Sequence, residues 1–329
     1  MTELIDFSNS QLIYRSYGGS DQKLSCLYEG RVYMLKFEDV HEKKHDISTS
    51  YTNSVLSEYL GSHIAQSVGL PAHETLLGTY KGKAVVACLD FRGRGEDNLE
   101  FQELLRILYN SKDSRKFVRL EQIYSVYNNA EVFPESLRQR AIERFWDTFI
   151  VDSLLGNFDR HTGNWGFLAS DRWIDLAPTY DYGSTLLPQL SDEGMEQIGN
   201  SDRALLERCY IFPSPVLYLT KEKTGKVGFY DMLASDYDKE CSAALLRVQP
   251  KINLDKINTI IDDTPAVSDV RRAFYKKYLE FRKNYIIDCA YTLIKNGHPD
   301  TEAQKRLQTG QQFSQTELDT ICRRILGEA

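Results

Sequence analysis

The sequence predicts an α+β fold with a strand-rich N-terminal lobe and a larger, mainly helical C-terminal lobe. Three observations predict it: paired alternating runs before residue 92, a Gly- and charge-rich stretch at 92–98, and helical periodicity beyond. The expected divisions are residues 1–91, 92–297 and a C-terminal extension, 298–329.

The elements follow in chain order. Leu24, Cys26 and Tyr28 alternate with polar residues, Glu29-Gly30 offers a turn, and Arg31 to Phe37 returns as a second strand. Residues 38–52 are polar and loop-like. Leu56, Leu60, Ile64 and Val68 recur every four residues, which predicts a helix stopped by Gly69 with Pro71 beyond it. A second hairpin runs from Thr75 to Tyr80, turns at Lys81-Gly82, and returns from Ala84 to Phe91. Past the 92–98 boundary, Ile142, Phe145, Trp146, Phe149 and Ser153 mark one helix face that runs into a polar loop at Gly156. Val270, Phe274, Tyr278, Phe281, Tyr285 and Cys289 predict a long helix between Pro265 and Gly297. Residues 298–313 read as a loosely held polar connector, and the capping box Ser314 to Glu317 opens a last short helix.

Composition narrows the function classes. A net charge of -7 argues against broad nucleic-acid binding, which needs a basic face. The six cysteines include no C-x-x-C pair and read as reduced core thiols, not a zinc site or disulfide frame. The N-terminus has no basic region before an apolar run, so no signal peptide is expected. No stretch reaches the roughly 18 apolar residues of a membrane span. The expectation is a cytoplasmic protein without membrane contact; export by a route that needs no signal peptide stays open.

The chemistry concentrates between Asp152 and Pro188. Phosphoryl transfer needs a carboxylate to orient the attacking hydroxyl and oxygen ligands to hold magnesium against the triphosphate. Protein kinases supply an Asp, an Asn five residues later, and a second Asp in a D-x-G turn about twenty residues on. Asp159 and Asn164 have the first separation, and Asp181 heads Asp181-Tyr182-Gly183 at a comparable distance downstream. Upstream, Lys36 is one charge between apolar strand neighbours, and Glu58 sits on the following helix, where it can position that lysine. Gly18-Gly19 lies in a loop before Lys36 whose backbone N–H groups can cradle phosphate. Taken singly, each has a plain structural reading. Asp159-Arg160 makes a local ion pair, Asp181 is a turn former, Lys36 and Glu58 are solvated, and His161 is a hydrogen-bonding histidine. Their order along the chain carries the argument.

These residues resemble the HipA-like serine/threonine kinase family. Asn157-Phe158-Asp159-Arg160-His161-Thr162-Gly163-Asn164 matches its Asn-x-Asp-Arg-His-x-x-Asn signature, and Pro178-Thr179-Tyr180-Asp181 its following segment. Ser57-Glu58-Tyr59, the run to Gly69-Leu70, and Val86 to Phe91 look most like the compact CtkA-like branch. The likeness covers roughly residues 10–290. It implies a two-lobed protein-kinase-like fold that uses ATP and Mg2+. Asp159 is then catalytic, Asn164 and Asp181 bind the metal, and Lys36 contacts the phosphates with Glu58 and Asn157 in support. Gly18, Gly19, Ser20, Asp21, Gln22 and Lys23 cover the phosphates. Cys88, Leu89, Asp90 and Phe91 form the adenine-side hinge, with His161 and Tyr180 beside the nucleotide. Ser16, or failing it Ser20, falls where the family autophosphorylates its Gly-rich loop. The implied partner is a protein substrate, an aminoacyl-tRNA synthetase or another translation component. In full-length HipA toxins a further N-terminal domain precedes this region; Lys36 comes too early here to expect it, which argues against antitoxin pairing and leaves a toxin role in a toxin–antitoxin system, with an antitoxin partner, as the open alternative. Two other readings stand beside the protein kinase: a phosphotransferase for a small molecule or lipid headgroup, and a binding protein that keeps the fold without chemistry. The acidic 190–240 segment, with Asp192-Glu193 and Asp236-Tyr237-Asp238, does not decide between protein and small-molecule substrates.

Overall fold

Strand alternation builds a six-stranded sheet whose two faces have different work. The structure, a computed structural model, describes residues 4–15, 23–38, 54–109, 118–129, 131–219 and 226–328. The sheet comprises β1 (Ile5–Asp6), β2 (Gln11–Ile13), β3 (Lys23–Tyr28), β4 (Arg31–Phe37), β5 (Thr75–Tyr80) and β6 (Lys83–Leu89). Their order is β1-β5-β6-β4-β3-β2, antiparallel except for the parallel β1–β5 pair. Both expected hairpins are present, β3–β4 and β5–β6.

Successive strand residues point to opposite faces. On the outer face Tyr33, Leu35, Val85 and Ala87 pack with Phe7, Cys26 and Tyr80 into a small core of their own. The alternate residues, Met34 and Lys36 on β4 and Val86 and Cys88 on β6, take the inner face, with Lys36 opposite Val86 and Met34 opposite Cys88. Helix α1 (Ser54–Ser67) lies between the strands in sequence, and its Val55, Leu56, Leu60 and Ile64 join the large core together with Val86 and Cys88. The same periodicity that buries apolar side chains therefore turns Lys36 toward α1.

The remaining residues are mainly helical around that large core. Strands β7 (Asp97–Glu100), β8 (Gly166–Ala169) and β9 (Ile174–Leu176) form a small antiparallel sheet. The helices are α2 (Phe101–Tyr109), α3 (Leu120–Tyr127), α4 (Glu135–Leu155), α5 (Asp192–Gly199), α6 (Asp202–Ile211), α7 (Phe229–Ala234) and α8 (Lys239–Val248). They continue with α9 (Leu254–Asp263), α10 (Asp269–Phe281), α11 (Cys289–Lys295), α12 (Thr301–Thr309) and α13 (Gln315–Leu326). A wider π turn, Arg282–Asp288, joins α10 to α11 into the long rod expected before Gly297. Trp146, Tyr275, Tyr278 and Phe167 lie fully inside the core.

The C-terminal extension corrects the sequence reading. Residues 298–313 were expected to be a loose connector, yet 301–309 form α12. Asp300 caps it by accepting from Glu302 N at 2.9 Å and Ala303 N at 3.1 Å, and Ala303 and Leu307 turn one face into the core. Buried Arg306 forks to Asp231 at 2.8 Å and Glu317 at 2.8 Å, a core contact made by a residue that reads as polar surface. The Ser314–Glu317 capping box opens α13 as expected. The acidic 190–240 segment is largely helix-end chemistry. Asp192 starts α5 and pairs with Arg271 at 2.8 Å, while Asp238 caps α8 and accepts from Tyr124 Oη at 2.8 Å. All six cysteines are free and five are buried. Among the described residues no helix is long and apolar enough to cross a membrane.

Candidate active site

Three stretches far apart in sequence meet at Lys36. Its Nζ donates to Glu58 Oε2 at 2.8 Å and to Asp181 Oδ1 at 2.9 Å. Strand β4 presents the lysine, α1 the glutamate, and the turn after Tyr180 the aspartate. Glu58 is 1% exposed, and its Oε1 also accepts from Tyr182 N at 2.9 Å, with His73 Nε2 3.0 Å away. Burial opposes the charge on Glu58, but Lys36 and then His73 outweigh it and hold the carboxyl well below the usual range. Burial likewise opposes the ammonium of Lys36, and the charges of Asp181 and Glu58 outweigh it, so the lysine stays protonated.

Asp181 reaches the lysine from a strained backbone. Its φ of 64° lies in the left-handed region, uncommon for a residue with a side chain. The surroundings enforce it. Thr179 N donates to Pro71 O at 2.8 Å and His73 N donates to Thr179 O at 2.9 Å, tying this segment to the stretch that follows α1. Gly61 of α1 has no room for a side chain: a Cβ there would sit 2.6 Å from Tyr182 Cβ. Helix and turn are therefore in backbone-close contact.

Asp159 lies on the loop after α4, which ends at Gly156 with φ 67°. Asn157 Oδ1 accepts from Asp159 N at 3.1 Å, and Asn157 Nδ2 donates to Asp152 at 3.0 Å. Asn164 Nδ2 donates to Asp159 O at 2.7 Å, and His161 Nδ1 accepts from Gly163 N at 3.0 Å. Burial, partly offset by His161 and then reinforced by the nearby charge of Asp181, raises the Asp159 carboxyl above its ordinary value.

A residue to which the sequence reading gives no site role holds this loop. Taken singly, Arg160 has the plain reading of a local partner for Asp159. Instead it makes a two-pronged pair with Asp152 at 2.8 and 2.9 Å, and donates to Asn164 O at 3.0 Å and to Tyr180 O. One buried guanidinium thus joins α4, the Asp159 loop and the segment leading to Asp181. His73 and Tyr182 were also missed as neighbours of Glu58; nothing about Ala72-His73 in the sequence marks it as part of a site.

A cavity of about 170 Å³ opens beside Lys36. Of the expected nucleotide residues, Lys23, Lys36, Cys88, Leu89, Asp90, Phe91, Tyr180 and Asp181 line it. Asp159, Asn157, Asn164 and His161 sit on the adjoining loop and outside its lining. The Asp90 carboxylate is engaged by Arg92 at 2.8 Å and Arg15 at 2.7 Å. The rings of Phe91 and Tyr180 lie 5.7 Å apart at the cavity wall. Ser16, Gly18, Gly19, Ser20, Asp21 and Gln22 lie outside the described residues.

Comparison with known proteins shows the family. A family model described as the HipA-like C-terminal domain matches residues 15–225. The chain belongs to the HipA-like kinase family. It is 39% identical over 282 residues to the serine/threonine-protein kinase CtkA of Helicobacter pylori (strain J99), covering 84% of each chain. The crystal structure of a Helicobacter pylori proinflammatory kinase CtkA superposes on it with a TM-score of 0.82 and 36% identity, over 91% of this chain and all of that one. The HipA of a Shewanella oneidensis toxin–antitoxin complex is a weaker match, with a TM-score of 0.48 and 15% identity over 84% of this chain and 67% of that one. The likeness to the CtkA structure makes the fold the two-lobed HipA-like kinase architecture, as the resemblance of Asn157–Asn164 and Pro178–Asp181 to the family's motifs implied.

Proposed function

We propose that this chain is an ATP- and magnesium-dependent serine/threonine protein kinase in which Asp159 activates the acceptor hydroxyl. The observation that carries the reading is Lys36 Nζ held between Glu58 at 2.8 Å and Asp181 at 2.9 Å, at the mouth of a cavity. A solvated lysine needs neither partner.

In this reading Lys36 contacts the nucleotide phosphates, and Glu58 keeps its ammonium charged and aimed. Cys88 to Phe91 form the adenine side, with Lys23 and the preceding Gly18–Gln22 loop over the phosphates. The oxygen donors of Asp181 and the Asn164 amide are hard ligands suited to magnesium. Magnesium, when bound, neutralises the charge that develops on the transferred phosphoryl group. Asp159 orients the Ser or Thr hydroxyl and accepts its proton as the new P–O bond forms and the bond to the ADP oxygen breaks. Its carboxyl, raised by burial, suits that acceptor role. Arg160 and Asn157 fix the loop on which it rides.

Residues 1–91 and 92–297 are then the two kinase lobes, with the extension 298–329 appended. Ser16 is the proposed autophosphorylation site, where phosphate would repel the nucleotide phosphates. The proposed setting is the cytoplasm, consistent with six free cysteines. A translation component such as an aminoacyl-tRNA synthetase is the proposed substrate and an antitoxin the proposed partner, both on family resemblance.

The test is transfer from labelled ATP by the purified chain in cell lysate. Asp159→Gln is expected to lose roughly 10²–10⁴-fold of the transfer rate while still binding ATP. Full turnover in that variant ends the assignment. Mass spectrometry after the same incubation checks for phosphate on Ser16.

A further inference from the structure

Beside the inner face of the sheet lies a cluster of three buried potential metal ligands, of which the kinase reading already uses Glu58 and Cys88 and leaves His73 without a role. Glu58 on α1, His73 on the segment after it and Cys88 on β6 are each more than nine-tenths buried. Their potential ligand atoms lie within 4.8 Å of one another. His73 Nε2 is buried without a well-aligned hydrogen bond, although Glu58 Oε1 is 3.0 Å away. Its contact with Glu58 is therefore electrostatic and imperfectly aligned, which leaves the imidazole nitrogen able to take a better-placed partner. Here it faces a carboxylate and a thiol, and His73 and Cys88 also line the cavity that reaches Lys36 and Asp181.

We propose that Glu58, His73 and Cys88 form a site for a thiophilic divalent cation, zinc in the first place, and that its occupancy disarms the nucleotide cleft. Thiolate, imidazole and carboxylate are the donors zinc takes, whereas magnesium prefers oxygen alone. The two ions are therefore sorted by chemistry: magnesium toward Asp181 and Asn164, zinc toward the inner face of the sheet. Around a tetrahedral zinc the ligand atoms stand about 3.2–3.8 Å apart, so the set needs to close by about 1 Å. Binding forms Zn–S, Zn–N and Zn–O bonds and releases the Cys88 thiol proton to solvent. The thiolate and the Glu58 carboxylate balance the two charges of the ion, with no change of oxidation state. Water from the cavity fills the fourth position. Zinc then draws Glu58 away from Lys36 and leaves the lysine with Asp181. That consequence rests on the kinase reading; the binding itself does not.

Cobalt(II), a spectroscopic stand-in for zinc, tests the site on the full chain, reduced and free of nucleotide. One equivalent is expected to give a near-ultraviolet thiolate-to-cobalt charge-transfer band and the visible bands of a four-coordinate ion, both erased by zinc. Cys88→Ser should abolish the charge-transfer band, Cys322→Ser should keep it, and His73→Gln should weaken cobalt binding by about tenfold or more. Circular dichroism and thermal unfolding establish that each variant is folded. If Cys88→Ser does not fold, altered visible bands in His73→Gln support the site and unaltered bands overturn it. Absence of the charge-transfer band in the wild type, or its survival in folded Cys88→Ser, also overturns it. In a separate arm, zinc is expected to weaken Mg-ATP binding several-fold. Unchanged Mg-ATP affinity with zinc bound overturns the disarming effect while the metal site stands. A chain that binds zinc but, when freed of it and supplied with Mg-ATP, transfers no phosphate refutes the kinase reading alone.

Discussion

Two cationic centres hold the cleft together, and they are built in opposite ways. Arg160 takes its partners from one neighbourhood: Asp152 at the end of α4, the Asn164 carbonyl four residues on, and the Tyr180 carbonyl. Its guanidinium is buried and engaged on several sides. Lys36 takes Glu58 from 22 residues along the chain and Asp181 from 145 residues along, and one side of it faces a cavity. The contrast separates a frame from a working part. A planar fork in contact with a carboxylate and two carbonyls fixes geometry, while a single ammonium shared by two acids can exchange one partner for a phosphate.

The largest expected effect tests the frame. Asp152→Ala leaves Arg160 buried without its carboxylate and should cost about 3–5 kcal/mol of stability, read as a lower urea midpoint. Lys36→Met tests the working part. Phosphoryl transfer should fall by about a hundredfold, ~2.7 kcal/mol in barrier, with a smaller loss of stability than in Asp152→Ala. Equal destabilisation by both would erase the distinction between the two centres.

The smallest effect concerns pH. Asp159 must be ionised to accept a proton, and its folded carboxyl is raised above 3.8. Activity should therefore fall as pH drops through that raised value, with the acid limb of kcat/KM above pH 3.8. Glu58 is lowered, so the stability its charge contributes is fully present above the ordinary carboxylate range and is lost progressively as pH falls from there through its depressed folded value. The acid limb thus belongs to Asp159; a limb at or below pH 3.8 would contradict that assignment.

How much of this was legible in the sequence depended on whether a contact is local. The β3–β4 and β5–β6 hairpins, the α1 stripe and the Lys36, Glu58, Asp159, Asn164, Asp181 order are written in spacing, because strand and helix periods translate directly into faces. The Asp152–Arg160 pair was not. Its members straddle a loop, and only the folded loop selects Asp152 over the adjacent Asp159. His73 was invisible for a similar reason: its place beside Glu58 is set by backbone bonds between Thr179 and the Pro71–His73 stretch. Helix α12 was missed because only Ala303 and Leu307 mark its apolar face, while Arg306 spends a polar side chain on a buried ion pair.

Gly61 sets a further condition on how such a protein can vary. Because the bare Cα of α1 abuts Tyr182, the spacing between the glutamate's helix and the aspartate's turn is fixed by main chain rather than by adjustable rotamers. A methyl group at that position would act as a shim, prying Glu58 and Asp181 apart at the point where both must reach one lysine. The two elements therefore behave as a matched pair of machined surfaces, and grafting either one alone into another scaffold would bring the wrong clearance with it.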